Sequence, residues 1–395
     1  MINDLFSGWD DSESGESEED LDLLQKEMLS ASIHSTDWTV ETIVSQVSKG
    51  RIDLNPSFQR RDAWNIPRKS AFIESLIMQL PVPQLVLAED PHRPGKFIVI
   101  DGKQRLLSLS QFYGAGSGEG GFKLKSMDAV KGVEGKTYSD LLESMPAYAD
   151  SLDNSTIRTI VIRNWKDENL IYLIFLRLNM GSVKLSPQEL RNALHPGEFA
   201  LFVDRYSSES VGMRRIFGES PDFRMRDAEL LLRYLSFVNK IRDYRGSMKF
   251  FLDETHDFYN NNWDDQRSVI ERQCDSLEIC IESLFDSFRG MAFKKFSGGK
   301  FENRFNRAVF DVLTFYACYD GYLNVINKDG ERLLDLYIAL SRKDVNFIKS
   351  IESTTKSVGA TAVRLGRWGE ALNREFGLDL PVVHVSKDGN GIVFD

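Results

Sequence analysis

"FIVIDGKQRLLSLSQFYG", residues 97–114, is an apolar run that stops at an acid and a glycine and resumes as a helix with an arginine in its first turn. Phe97, Ile98, Val99 and Ile100 suit a buried strand. Leu106, Leu107, Leu109 and Phe112 then recur at helical spacing until Gly114 ends the run. The stretch therefore reads strand, tight turn, helix. Free backbone N–H groups at a helix start point toward any anion placed there, and a glycine lets a ligand approach the chain closely. Asp101, Gly102, Gln104 and Arg105 thus sit together at a joint suited to phosphate.

On the N-terminal side, "IDLNPSFQRRDAWNIPRKSAFIESLIMQLPVPQLVLAED" (52–90) opens as an extended entry through Pro56, Phe58, Gln59, Arg60 and Trp64. Pro67 begins a helix with one apolar face, Phe72, Ile73, Leu76, Ile77 and Leu80, which Pro81 and Pro83 stop. "QLVLAED" reads as a strand joined to the opening stretch by the turn at Pro91–Gly95. A short helix at Val40–Val47, capped by Thr39, precedes this region, and "TIRTIVIRNW" (156–165) supplies another strand. Beyond residue 165 the signals are helical. Ser186, Pro187 and Glu189 form a capping box with proline at the first helical position, and His195-Pro196-Gly197 closes that helix. Periodic segments follow near 226–240, 265–288, 301–319, 330–342 and 344–375. The expected fold class is α+β, an α/β N-terminal domain (36–165) followed by an all-helical domain (166–380), with a tail at 381–395.

The 395 residues, 42% apolar and 27% charged, have the composition of a globular protein with more than one core. No apolar stretch approaches the ~18 to 20 residues of a membrane span, and the N-terminus lacks the basic and apolar regions of a signal peptide, so a cytoplasmic location is expected. Cys274, Cys280 and Cys318 are widely spaced in helical contexts and read as core residues. The net charge of −10 is concentrated at one end: residues 1–30 hold ten acids against Lys26. Residues 1–35 are expected to form a disordered, acidic, serine-rich tail that solvates the protein; the competing reading is an autoinhibitory segment that imitates nucleic acid.

Three motifs fail their context tests. Gly116, Gly118 and Gly121 match G-x-G-x-x-G but follow a helix rather than a strand. Gly135-Lys136-Thr137 lacks the first glycine of a Walker A loop, Val130 standing in its place, and reads as a surface turn. The five histidines (His34, His92, His195, His256 and His384) have no metal-ligand spacing. Two polar groups set among apolar residues remain, Gln59 with Arg60, and Asp101 with Gln104 and Arg105. From the residues alone, a phosphate site and a structural ion pair of Arg60 with Asp62 or Asp101 stand equally open.

"NPSFQRRDAW", "SLIMQLPVPQLVL", "IVIDGKQRLLSL" and "FLRLNMGSVKLSPQELRNA" together resemble the N-terminal domain family of GmrSD-type modification-dependent restriction proteins, whose hallmark is Asp-Gly-Gln-Gln-Arg. The four motifs span about residues 37–200 in order, with Lys103 in place of the first hallmark glutamine. The resemblance implies a ParB/sulfiredoxin-like fold that holds nucleotide phosphates. By that resemblance Gly102 and the helix start cradle phosphate, Arg105 supplies a charge-assisted fork, and Arg60 and Lys103 add charge. Asp101 would hold Mg²⁺ through water, Gln104 would orient a water on the terminal phosphate with support from Gln59, and Arg177 and Asn179 would contact nucleotide or brace the domain junction.

The implied function is an NTP-binding, NTP-hydrolysing subunit of an anti-phage restriction system that senses DNA and controls a partner nuclease in trans, since the chain shows no His-Asn-His constellation of its own. A ParB-type DNA-binding adaptor that uses nucleotide as a switch without hydrolysis, and a Mg²⁺-dependent DNA nickase, are the alternatives. In the helical half, residues 341–374 carry seven basic residues against three acids, and Lys356, Arg364 and Arg367 are the candidate DNA-binding face.

Overall fold

In the computed structural model the described residues are 31–52, 54, 64–114, 121–166, 168–178, 186–352 and 355–395. They form two compact units, one running through Leu194 and the other starting at His195.

The first unit contains, in chain order, β1 (Ser32–Thr39), α1 (Val40–Ser48), α2 (Ile66–Ile77), β2 (Leu85–Glu89), β3 (Phe97–Asp101), α3 (Lys103–Phe112), α4 (Tyr138–Ser144), α5 (Pro146–Asn154), β4 (Thr156–Arg163), α6 (Glu168–Leu178) and α7 (Pro187–Leu194). The four strands form one mixed sheet in the order β1-β4-β2-β3. β4 runs parallel to β2, while β1 on β4 and β3 on β2 are antiparallel. Successive residues of a strand face opposite sides. Leu85, Leu87, Phe97, Val99, Ile157 and Val161 accordingly meet Phe72, Ile73, Leu76 and Leu106 in one core. Val86, Ala88, Ile98, Ile100 and Ile162 meet Leu170, Ile171, Phe175 and Leu190 in a second. Unbroken apolar runs such as "FIVI" are what strands covered on both faces require.

Because α6 and α7 close the second core, the unit extends past residue 165 to Leu194. The change from strand to helix signals marked a change of local structure, not of core. β1 begins at Ser32, inside the stretch assigned to the acidic tail. Its sequence SIHSTDWT has no apolar period, and most of the strand is exposed at the edge of the sheet, so it needs none.

Local signals act as their chemistry requires. Asn65 Oδ1 accepts the Arg68 N–H at 3.1 Å at the head of α2, where proline occupies the first turn. Ser186 Oγ accepts the Glu189 N–H at 3.1 Å while Glu189 Oε2 accepts the Ser186 N–H at 2.7 Å, which completes the expected capping box. Thr137, last residue of the rejected Gly-Lys-Thr, forms the capping box of α4 with Asp140.

The second unit contains α8 (Glu198–Glu209), α9 (Val211–Phe217), α10 (Arg226–Lys240), α11 (Met248–Asn261), α12 (Trp263–Ser287), β5 (Lys294–Ser297), β6 (Lys300–Phe305), α13 (Arg307–Thr314), α14 (Asp320–Lys343), α15 (Val345–Glu352), α16 (Val358–Phe376), β7 (Val383–Val385) and β8 (Ile392–Phe394). It is mostly helical rather than all-helical. β6, whose residues 301–305 were expected to be helix, pairs with β5 across Gly298 and Gly299, both at positive φ, where a glycine pair favours a hairpin. The segment expected as a tail ends in the β7–β8 hairpin, and β7 lies so close to α16 that a Cβ at Gly366 would overlap the Val383 carbonyl. Cys274 and Cys280 are buried and Cys318 is partly exposed. Among the described residues no helix is long and apolar enough to cross a membrane.

Candidate functional site

The joint between β3 and α3 is built by Gly102. Its φ of 102° is left-handed, a region that costs an L-residue energy, and a Cβ there would overlap Leu85 Cδ2. The same point lies 3.2 Å from Arg105 Nη2 and 3.3 Å from Arg105 Nε, so the missing side chain is also what lets the guanidinium rest against the turn. No side chain caps the start of α3.

Arg105 is buried, with 7% of its surface exposed. Its Nη2 donates to Asp101 Oδ2 at 2.9 Å and to the Gln84 carbonyl at 2.8 Å. Its Nε is buried without a hydrogen-bond partner among the described residues. Asp101 is more open, at 24% side-chain exposure. Among the described residues Asp101 is ion-paired with Arg105, four residues on. Sequence reasoning missed Gln84, whose contribution is a backbone carbonyl that no residue pattern encodes.

Lys103, the departure from the hallmark, has its ammonium in a buried ion pair with Glu189, the capping-box glutamate of α7. A carboxylate paired with the ammonium competes with any other anion for it. Gln104 Oε1 accepts the Trp64 N–H at 3.3 Å and ties α3 to the residue ahead of α2. Gln59, Arg60, Asn179 and the side chain of Arg177 lie outside the described residues.

In the second unit the candidate DNA-binding residues do not share a surface. Arg364 is completely buried: Nη2 donates to Asp311 Oδ2 at 2.8 Å and Nη1 to the Thr355 carbonyl at 2.6 Å. Arg233 donates to both oxygens of the same carboxylate, at 2.6 and 2.7 Å. Arg364 is therefore a core residue and the DNA-facing expectation for it is corrected. Arg367 is exposed, 3.0 Å from Glu370 and 3.5 Å from Asp344, while Lys356 is partly buried. Among the described residues no group of three or more His, Cys, Asp or Glu side chains could hold a metal ion.

A sheet strand, a left-handed glycine, an uncapped helix start and a buried arginine define an α+β domain with an anion-suited turn. Residues 40–196 match the family described as GmrSD restriction endonuclease, N-terminal domain. The similarity covers that segment alone, and its limits enclose α1 through α7. No curated protein and no solved structure matches the chain.

Proposed function

We propose that the first unit binds a nucleoside triphosphate, with phosphate seated on Gly102 and the first turn of α3 and bound by Arg105. One observation carries the reading: a buried guanidinium whose Nε has no partner lies against an uncapped helix start, where both favour an anion. The ParB/sulfiredoxin-like fold belongs to the same proposal and is supported by the strand, glycine and helix of the joint. Asp101 is the described carboxylate nearest this turn, and with Oδ2 engaged by Arg105 it fits a water-mediated contact to Mg²⁺ held mainly by phosphate oxygens. Bound Mg²⁺ would neutralise phosphate charge. Gln104 would turn its amide toward a water, supported by Gln59, with Arg60, Arg177 and Asn179 completing the nucleotide contacts. In a restriction system, nucleotide turnover would then control DNA cleavage by a nuclease supplied in trans.

Calorimetry with Mg²⁺ and each of the four NTPs tests this. A charge-assisted hydrogen bond contributes ~1.5 to 3 kcal/mol, so Arg105→Lys, which keeps the charge and loses the fork, should weaken binding at least tenfold. Asp101→Asn should retain binding and lose phosphate release. Equal affinity of wild type and Arg105→Lys, with both folded by circular dichroism, would remove the phosphate assignment.

A further inference from the structure

Among the described residues no strand pairs with the outer edge of β1. Val40 and Ser155 continue the β1–β4 register, and the Val40 N–H donates to the Ser155 carbonyl at 2.9 Å. Antiparallel bonds join the residues of alternate pairs. The backbone groups of Ser32, His34, Thr36 and Trp38 therefore point at β4, and those of Ile33, Ser35 and Asp37 point away from it. Nothing among the described residues bonds to these outward groups. The side chains are open as well, since residues 33–37 are all exposed, Ile33 at 66%.

The opposite edge of the sheet is occupied. At β3 the Phe97 N–H donates to the Arg51 carbonyl at 2.7 Å, and Ile52 bridges Phe97 in parallel. A free edge is ordinarily guarded by proline, lysine or a bulge, because its unpaired groups are a template for another strand. β1 has none of these guards. Its sequence SIHSTDWT holds no proline and no lysine, its register on β4 is unbroken, and its one acid, Asp37, is neutralised by Arg158 at 3.1 Å.

We propose that β1 pairs with β1 of a second copy of this chain, antiparallel about a twofold axis, so that two four-strand sheets become one. In such a ladder the residue on the axis faces itself and the others pair in reversed order, so naming that residue fixes the register. With Thr36 on the axis, Ser35 meets Asp37, His34 meets Trp38, Ile33 meets Thr39, and Thr36 meets its own copy. A hydroxyl then faces a carboxylate, an imidazole faces an indole, and threonine faces threonine, all favoured cross-strand neighbours. The outward N–H and C=O groups of Ser35 and Asp37 satisfy each other in the same register. With Ser35 on the axis instead, the Asp37 carboxylate would face Ile33. The strand is thus complementary to itself, which is why a second copy, rather than an unrelated strand, is assigned to this edge. The two β3 strands then lie about seven strand spacings apart, ~34 Å, and the Gly102 turns stay open. An edge ladder is narrow beside the ~1,600 Å² of a standard interface, so the dimer should be a micromolar one.

Sedimentation velocity of the full chain from ~1 to ~100 µM should show a monomer–dimer equilibrium. Ser35→Pro removes an outward N–H and leaves the bonds to β4 in place, so it should weaken the dimer at least about tenfold while the circular dichroism spectrum stays that of wild type. Thr36→Asp, which sets two carboxylates against each other on the axis, should do the same by charge. Cross-linking reads the register. A non-hydrogen-bonded antiparallel pair holds its Cα atoms ~4.5 Å apart, within disulfide reach, so Thr36→Cys should couple to its own copy under mild oxidation. Ile33→Cys, at the most exposed position of the strand, should couple at least about fivefold less, because the register takes it away from its own copy. The wild-type chain with Cys274, Cys280 and Cys318 sets the background. A wild-type chain that stays monomeric, a dimer that a folded edge variant leaves intact, or equal cross-linking at positions 33 and 36 overturns the proposal.

Discussion

Lys103 and Glu189 bury opposite charges against each other, with side-chain exposures of 6% and 4%. Removing one partner of such a pair leaves the other charged in a poorly hydrated interior, which costs ~3 to 5 kcal/mol, whereas replacing both is often neutral. Lys103→Met should therefore lower the unfolding free energy by about 3 kcal/mol. Adding Glu189→Gln, whose amide oxygen still accepts the Ser186 N–H, should restore most of that loss. Urea denaturation of the two variants decides the matter. A single variant as stable as wild type would mean that the pair contributes nothing net. Either way Lys103 ties α3 to α7.

The strand, turn and helix around Gly102 act as one element. Alanine at Gly102 meets two obstacles, a left-handed φ and the overlap with Leu85, whereas alanine at Gly95, also at positive φ (79°), enters open space. Gly95→Ala should cost about 1 kcal/mol. Gly102→Ala should cost at least about 2 to 3 kcal/mol, because the overlap displaces β2 or the turn. Thermal unfolding of the two variants measures the difference. Equal losses would show that Leu85 moves aside freely and that only the dihedral matters. The capping box of α7 and the Thr39 cap of α1 were legible in the sequence because a cap is local, its donor and acceptor lying three residues apart, whereas the Asn65 cap of α2 and the Thr137 box of α4 went unread. The helix expected over 301–319 failed for the complementary reason. The pairing of β6 with β5 was decided by the neighbouring strand and the Gly298-Gly299 turn, and helical spacing outside that pair survives only in α13.

At the scale of the molecule, each unit depends on charges that its core fixes. Asp311 holds two arginines, from α10 and α16, in the second unit. Desolvation holds the Arg364 guanidinium below its ordinary pKa, opposed by Asp311, and that one carboxylate is bonded to both buried arginines. Asp311→Asn should destabilise the protein by at least about 3 kcal/mol. Asp311→Asn combined with Arg364→Met should recover part of it, as followed by denaturant titration. A mild loss in the single variant would mean that the arginines escape to water, and the buried network would not be a support of the fold.

The sequence by itself determined the elements whose signals are local: the strand and helix on either side of Gly102, the caps, the helix at 226–240, and a family resemblance spread over four motifs. It also determined that the acidic charge sits at one end of the chain. Tertiary structure alone decided which partner each charged side chain takes. Lys103 and Glu189 are far apart in the chain, and Arg364 was drawn to Asp311 rather than to solvent. It also decided that α6 and α7 close a core of the first unit. Periodicity reports the face an element will bury. What lies against that face depends on the packing of the rest of the chain, which no local pattern carries.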